Sequence, residues 1–136
     1  YETDPEVTSL VDTYDWYLMP VLNPDGYVFS WTSDRYWRKN MSPNEGSDCL
    51  GTDLNRNFET DWGNAGISHD PCDVTYLGAS AASELETQAV QSEAVRLGAT
   101  LLTSIHVHTY GYYWLIRSAP GRSSTCRAKL PRITTN

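Results

Sequence analysis

The sequence has no long apolar run. Nothing in it approaches the roughly 20 residues a helix needs to cross a bilayer, which argues against a membrane partner. Basic residues are scarce, ten Lys and Arg against 17 Asp and Glu, for a net charge of −7. That acid excess argues against nucleic acid as a partner. Histidine occurs three times, at positions 69, 106 and 108. Cysteine also occurs three times, so at least one has no partner within the chain. The chain opens on Tyr1 rather than methionine and is expected to be processed or a piece of something longer. What it does contain is aromatic: nine Tyr and five Trp in 136 residues, which favours a folded domain over a disordered one. One monomeric domain is the expectation.

The charge is unevenly placed. All 17 acids lie in residues 1–116, with only Arg35, Arg38, Lys39, Arg56 and Arg96 to oppose them. The last 20 residues carry Arg117, Arg122, Arg127, Lys129 and Arg132 and no acid. This sets a boundary near Ile116. Residues 1–116 are read as the structured part, and 117–136 as a basic tail expected to be disordered.

Local patterns predict a helix from Pro5 to about Thr13, with Asp4 as N-cap and Pro5 at the first helical position. Trp16–Leu22 reads as a strand, with Pro20 favouring an edge or a bulge. Asn23-Pro24-Asp25-Gly26 reads as a turn, followed by a short extended piece over 27–31 and one helical turn near 33–37. Residues 40–80 are irregular and rich in glycine. Ser83 and Glu86 read as a capping box for a helix that stops at Gly98. Glu86, Val90, Ala94 and Leu97 share one side of it. Thr100–Val107 reads as a central strand and Tyr110–Ile116 as a second extended piece. Helix followed by core strand is the α/β pattern. Asn40-Met41-Ser42 is an N-glycosylation triplet, although Pro43 follows it.

The chemistry concentrates between Asp34 and Phe58. Arg35, Arg38 and Arg56 carry planar guanidinium forks suited to a carboxylate or an oxyanion. Arg56 lies between Asn55 and Asn57, and Arg35 and Arg38 lie beside Tyr36 and Trp37. On the residues alone, a grip for a negative group and three ordinary surface ion pairs are equal alternatives. His106 and His108 would face the same way if residues 100–107 form a strand, and could bind a metal.

Taken in order, Asn-Pro-Asp-Gly-Tyr (23–27), Arg-Tyr-Trp-Arg-Lys (35–39) and C-x3-D-x-NRN (49–57) resemble the zinc carboxypeptidases of the carboxypeptidase A/B type. The likeness runs from about Asp4 to Leu115 and covers only the middle of a catalytic domain of that family. It implies a three-layer α/β sandwich with a mixed, mostly parallel sheet, incomplete here. It implies a secreted enzyme that uses zinc to hydrolyse the C-terminal peptide bond of peptides and proteins.

Residue by residue, the likeness makes Arg38 the group that polarises the scissile carbonyl and stabilises the oxyanion. Asn55 and Arg56 bind the terminal carboxylate, Arg35 makes a secondary carboxylate contact, and Tyr110 is a subsite tyrosine. Cys49 and Cys72 match the family's disulfide, leaving Cys126 over. Of the two histidines, His108 is the better match to the family's strand-end zinc ligand, because Trp114 and Leu115 line up behind it; His106 is the alternative. With His108 as ligand, the Thr109–Tyr110 peptide is expected to be cis. The family's H-x-x-E motif, which supplies two zinc ligands, has no counterpart before Asn23, and no glutamate after Gly111 matches its general base. The chain alone is therefore expected to bind zinc poorly and to be inactive. The alternatives are a module that binds peptide C-termini without cutting, and a truncated product without stable function.

Overall fold

The computed structural model describes residues 2–108, 113–116 and 126–129. They fall into two units, Tyr1–Thr100 and Leu101–Asn136. The first holds α1 (Pro5–Thr13), α2 (Pro24–Thr32), α3 (Leu54–Asn57) and α4 (Leu85–Leu97). The second holds β1 (Tyr113–Ile116) and β2 (Cys126–Lys129), paired antiparallel with Tyr113 opposite Lys129. This ribbon is the only sheet among the described residues, in place of the expected mixed sheet. Its second strand falls inside the basic tail, whose other residues lie outside the described ones, as does the Thr109–Tyr110 bond.

Helix α1 forms as its local signals dictate. Asp4 accepts from the backbone N–H groups of Glu6 (3.0 Å) and Val7 (3.2 Å), and Pro5 takes the first helical position. Helix α2 is a correction, because Asn-Pro-Asp-Gly starts a helix that runs to Thr32 instead of making a turn before an extended piece over 27–31. Asn23 is the N-cap, with its Oδ1 accepting from Gly26 N–H at 3.0 Å. Its Nδ2 donates to the Lys39 carbonyl at 3.0 Å. A Cβ at position 26 would sit 2.5 Å from that same carbonyl, so only glycine lets the helix start approach the Arg-Lys segment so closely.

Helix α4 also starts differently. Its N-cap is Glu84, not Ser83. The Ser83 hydroxyl donates to Glu84 Oε1 and accepts from Asn57 Nδ2, and is not available as a cap. Gly98, at φ +52°, ends the helix as expected. The expected side is only half-buried at Glu86, Val90 and Leu97, and Thr87 is the residue fully inside.

Neither expected strand forms at 16–22 or 100–107. A strand needs a neighbour for its N–H and C=O groups, and neither run has one among the described residues. Their apolar side chains face outward, with Leu18 82% and Val107 91% exposed.

What is buried in the first unit is mainly polar. The apolar core is Leu54, Tyr76 and Leu77, while Ser30, Lys39, Asn40, Thr52, Asp53, Asn57, Glu84 and Thr87 are also buried. Stability therefore rests on hydrogen-bond satisfaction more than on apolar area. Asn40 shows the pattern. Its Nδ2 donates to Glu84 Oε2 (2.7 Å), and its Oδ1 accepts from Thr52 N–H (2.7 Å). Glycosylation would modify that same Nδ2, which is buried and engaged, so the triplet at Asn40 is not available in the folded chain.

Burial pushes the Glu84 carboxyl up, but hydrogen bonds from Ser83 and Asn40 outweigh it and hold it below its ordinary 4.5. A depressed carboxyl stabilises the fold above the unfolded-state value and loses that contribution as pH falls through the folded value. Stability should therefore decline on acidification below about pH 4.5. In Glu84→Gln that part of the decline should be absent, as urea midpoints between pH 3 and 7 would show. Parallel curves for the two proteins would refute the assignment.

Candidate functional site

Backbone contacts bring residues 38–40 alongside 51–53. Asn40 N–H donates to Thr52 O (3.0 Å), and Gly51 N–H donates to Ser42 O (2.8 Å). Gly51 sits at φ +83°, and a Cβ there would lie 2.2 Å from Asn40 O. This pairing sets Arg38 beside Asp53.

Asp53 then divides its carboxylate between two tasks. Oδ1 caps the short helix α3 by accepting from Asn55 N–H at 3.1 Å. Oδ2 accepts from Arg38 Nε and lies 2.9 Å from Arg38 Nη2 as well. One helical turn on, Arg56 Nε lies 3.9 Å from the same Oδ2. Arg56 is held chiefly by the backbone, with Nε donating to Gly66 O (2.7 Å) and Nη1 to Asn55 O (3.2 Å). The Asp53 side chain is 3% exposed, Arg56 29% and Arg38 42%. The result is a buried anion behind two guanidinium groups that reach solvent. A small open cleft of about 120 Å³ adjoins Arg56, lined among others by Asn55, Phe58, Asp61, Trp62 and Ile67.

The structure thus brings together Arg38, Asn55 and Arg56. The Arg35 guanidinium stacks over the Trp31 ring, 5.4 Å from its centroid. Lys39 is turned inward. Its ammonium donates to Pro71 O, and burial lowers its pKa from the ordinary 10.5 against the opposing pull of Asp73 and Asp70. Asn57 is wholly buried and holds the loop behind the site: its Nδ2 donates to Leu77 O, Ser80 O and Ser83 Oγ, and its Oδ1 accepts from Glu84 N–H. Cys49 and Cys72 form the disulfide, closing the loop that carries Asp53, Asn55 and Arg56.

His106 and His108 belong to the second unit, where both are exposed; His106 Nε2 lies 3.1 Å from Ser104 Oγ. Tyr110 lies outside the described residues. Among the described residues no group of three or more His, Cys, Asp or Glu side chains is close enough to hold a metal. A catalytic zinc takes three protein ligands, so these residues do not make up a set that fits it.

Sequence reasoning missed Asp53 as the anchor of the site. Two signals could have found it. An aspartate directly before a short helical segment is an N-cap candidate, and it stands three residues before Arg56, within reach across one turn.

Comparison with known proteins points one way. The zinc carboxypeptidase family model matches residues 1–131. Human carboxypeptidase B is 44% identical over 110 residues, which are 81% of this chain and 26% of that protein. Mouse carboxypeptidase A2 is 44% identical over 110 residues, with the same shares of 81% and 26%. The chain therefore spans about a quarter of the length of these relatives. Among solved structures, thrombin activatable fibrinolysis inhibitor aligns with a TM-score of 0.66 at 43% identity, covering 71% of this chain and 24% of that one. Carboxypeptidase A from Helicoverpa armigera aligns at 0.58 and 44% identity, covering 60% and 20%.

Proposed function

Because the chain belongs to the zinc carboxypeptidase family, we propose that it supplies the carboxylate-gripping part of an enzyme that hydrolyses the C-terminal peptide bond of peptides and proteins. The observation that carries this reading is the convergence of Arg38 and Arg56 on Asp53 Oδ2, with both guanidinium groups open to solvent. Charged donors held in place cost little to reorganise when an anion arrives. In this reading Arg56 and Asn55 take the terminal carboxylate, and Arg38, held on the same Asp53 oxygen, faces the carbonyl of the bond to be cut. Selection for chain ends follows, since an internal peptide bond brings no carboxylate to the cradle.

Zinc is the metal of the family. The described residues lack a ligand set for it. This chain contributes binding, orientation and charge, and by itself is expected to bind peptide ends without cutting them. The finer fold, a three-layer sandwich with a mixed, mostly parallel sheet, is part of the same proposal. It is supported by the two outward-facing apolar runs at 16–22 and 100–107, each with strand composition. Secretion is proposed too, supported by the Cys49–Cys72 disulfide, which persists in oxidising compartments.

Titrating the chain with a short peptide bearing a free C-terminal carboxylate, and with its amide, tests the reading. The acid should bind more tightly, and Arg56→Ala should cost the acid about tenfold or more in affinity, as expected for a charge-assisted pair. Binding of the amide should hardly change. Equal affinity for acid and amide in the unsubstituted chain would defeat the proposal.

A further inference from the structure

We infer that the Cys49–Cys72 disulfide is a redox switch on the carboxylate grip, opened in the folded chain by uncharged or cationic small thiols in preference to anionic ones. The inference rests on the reading of Arg38, Asn55 and Arg56 as a carboxylate site and adds how that site is regulated.

Access to the bond is open on one side. Cys72 is exposed and Cys49 half-buried, and thiol–disulfide exchange depends on such access. An external thiolate forms a bond to Cys72 Sγ as the Sγ–Sγ bond breaks. The electron pair leaves on Cys49 Sγ, which takes up a proton. A second thiolate then attacks the external sulfur of the mixed disulfide and releases Cys72 as a thiolate, protonated in turn. Two small thiols are oxidised to one disulfide, and the two cysteines gain two electrons and two protons.

Charge selects the thiol. Asp70 and Asp73 flank Cys72 and Asp48 precedes Cys49, all three exposed. Asp70 Oδ1 accepts from Cys72 N–H at 2.9 Å, which keeps that carboxylate beside the bond. Hydrogen bonds from the Thr75 N–H and hydroxyl hold the Asp73 carboxyl below its ordinary value, so it is charged wherever thiolates form. The Lys39 ammonium lies near Asp70 and Asp73 but is turned inward onto Pro71 O, and offsets one of the three charges. An arriving thiolate therefore meets net negative charge, and one that carries its own carboxylate meets it twice.

The bond reaches the site through the loop it closes. That loop holds Asp53, Asn55, Arg56 and also Gly66, whose carbonyl accepts from Arg56 Nε at 2.7 Å. Its one helix among the described residues is the four-residue α3. Opening the bond returns conformational freedom to this segment, so Gly66 no longer fixes Arg56 relative to Arg38.

The test uses the whole chain as Cys126→Ser, in which these two sulfurs are the only cysteines. Cysteamine, mercaptoethanol and mercaptopropionate have the same carbon chain and differ in charge. Their reduction rates per thiolate, each divided by the rate toward a small uncharged disulfide, should fall in that order. The expected step is about threefold per unit of charge at low salt, shrinking in concentrated salt, and Asp73→Asn should narrow it. Calorimetry should show the preference for a free-carboxylate peptide over its amide falling about threefold or more on reduction, as a pre-positioned donor is released, and returning on reoxidation. Rates that plateau at one value for all three thiols would mean that the bond opens only on unfolding, and overturn the inference, as would rates independent of charge. A reduced chain that keeps the full preference overturns the switch alone. A bonded chain with no preference overturns the carboxylate reading as well.

Discussion

Asn57→Ala is expected to remove about 2–4 kcal/mol of folding stability, more than any arginine of the cradle. The side chain is fully buried, and its amide makes hydrogen bonds to Leu77 O (2.9 Å), Ser80 O (3.0 Å), Ser83 Oγ (2.9 Å) and Glu84 N–H (3.1 Å). Leu77 O keeps a second donor in Trp62 Nε1 at 3.2 Å and Ser80 O keeps one in Ser83 N–H at 3.2 Å, so the group left without a partner is chiefly Glu84 N–H. That buried orphan costs about 1–3 kcal/mol, and the vacated volume adds to it. Gly78→Ala should act through the same contact, because a Cβ there would lie 2.5 Å from Asn57 Nδ2 at a backbone φ of +91°. Urea denaturation measures both. A loss under about 1 kcal/mol for Asn57→Ala would mean that water or a local shift replaces the amide.

The second large effect concerns the disulfide. Replacing Cys49 and Cys72 together with serine should lower stability by about 3.4 kcal/mol, from the loop-closure entropy returned to the unfolded chain for a separation of 23 residues. For a domain of this size that is a fall in Tm of about 10–15 °C. The closed segment is irregular apart from α3, and it carries Asp53, Asn55 and Arg56. Preference for a free carboxylate over the amide should therefore weaken together with stability. A Tm change below about 3 °C would show that hydrogen bonds at the two ends, Asn44 Nδ2 to Cys49 O and Cys72 N–H to Asp70 Oδ1, hold the loop without the covalent link.

Where the sequence could be read, the deciding interactions were local. Asp4 and Pro5 start α1 through contacts two and three residues away. Gly98 ends α4 through its own backbone angle. Where the reading failed, a distant group had intervened. The first turn of a helix and a reverse turn share the chemistry of Asn-Pro-Asp-Gly, and the tie to Lys39 O, 16 residues on, goes with the helix. Ser83 has the composition of a cap, but Asn57, 26 residues earlier, claims its hydroxyl. Residues 16–22 and 100–107 have strand composition without a strand beside them, and β propensity describes a fit to neighbours more than a backbone preference.

The site divides in the same way. The residue types, their order and the match to the family were written in the sequence, because guanidinium forks, capping side chains and the cysteine spacing are properties of the residues themselves. Which guanidinium meets which carboxylate oxygen was not. Asp53 gives one oxygen to α3 and the other to Arg38 only because Gly51 lets residues 38–40 lie against 51–53. That choice is made by packing across the fold, where the cost of leaving a buried charge without a partner outweighs local preference.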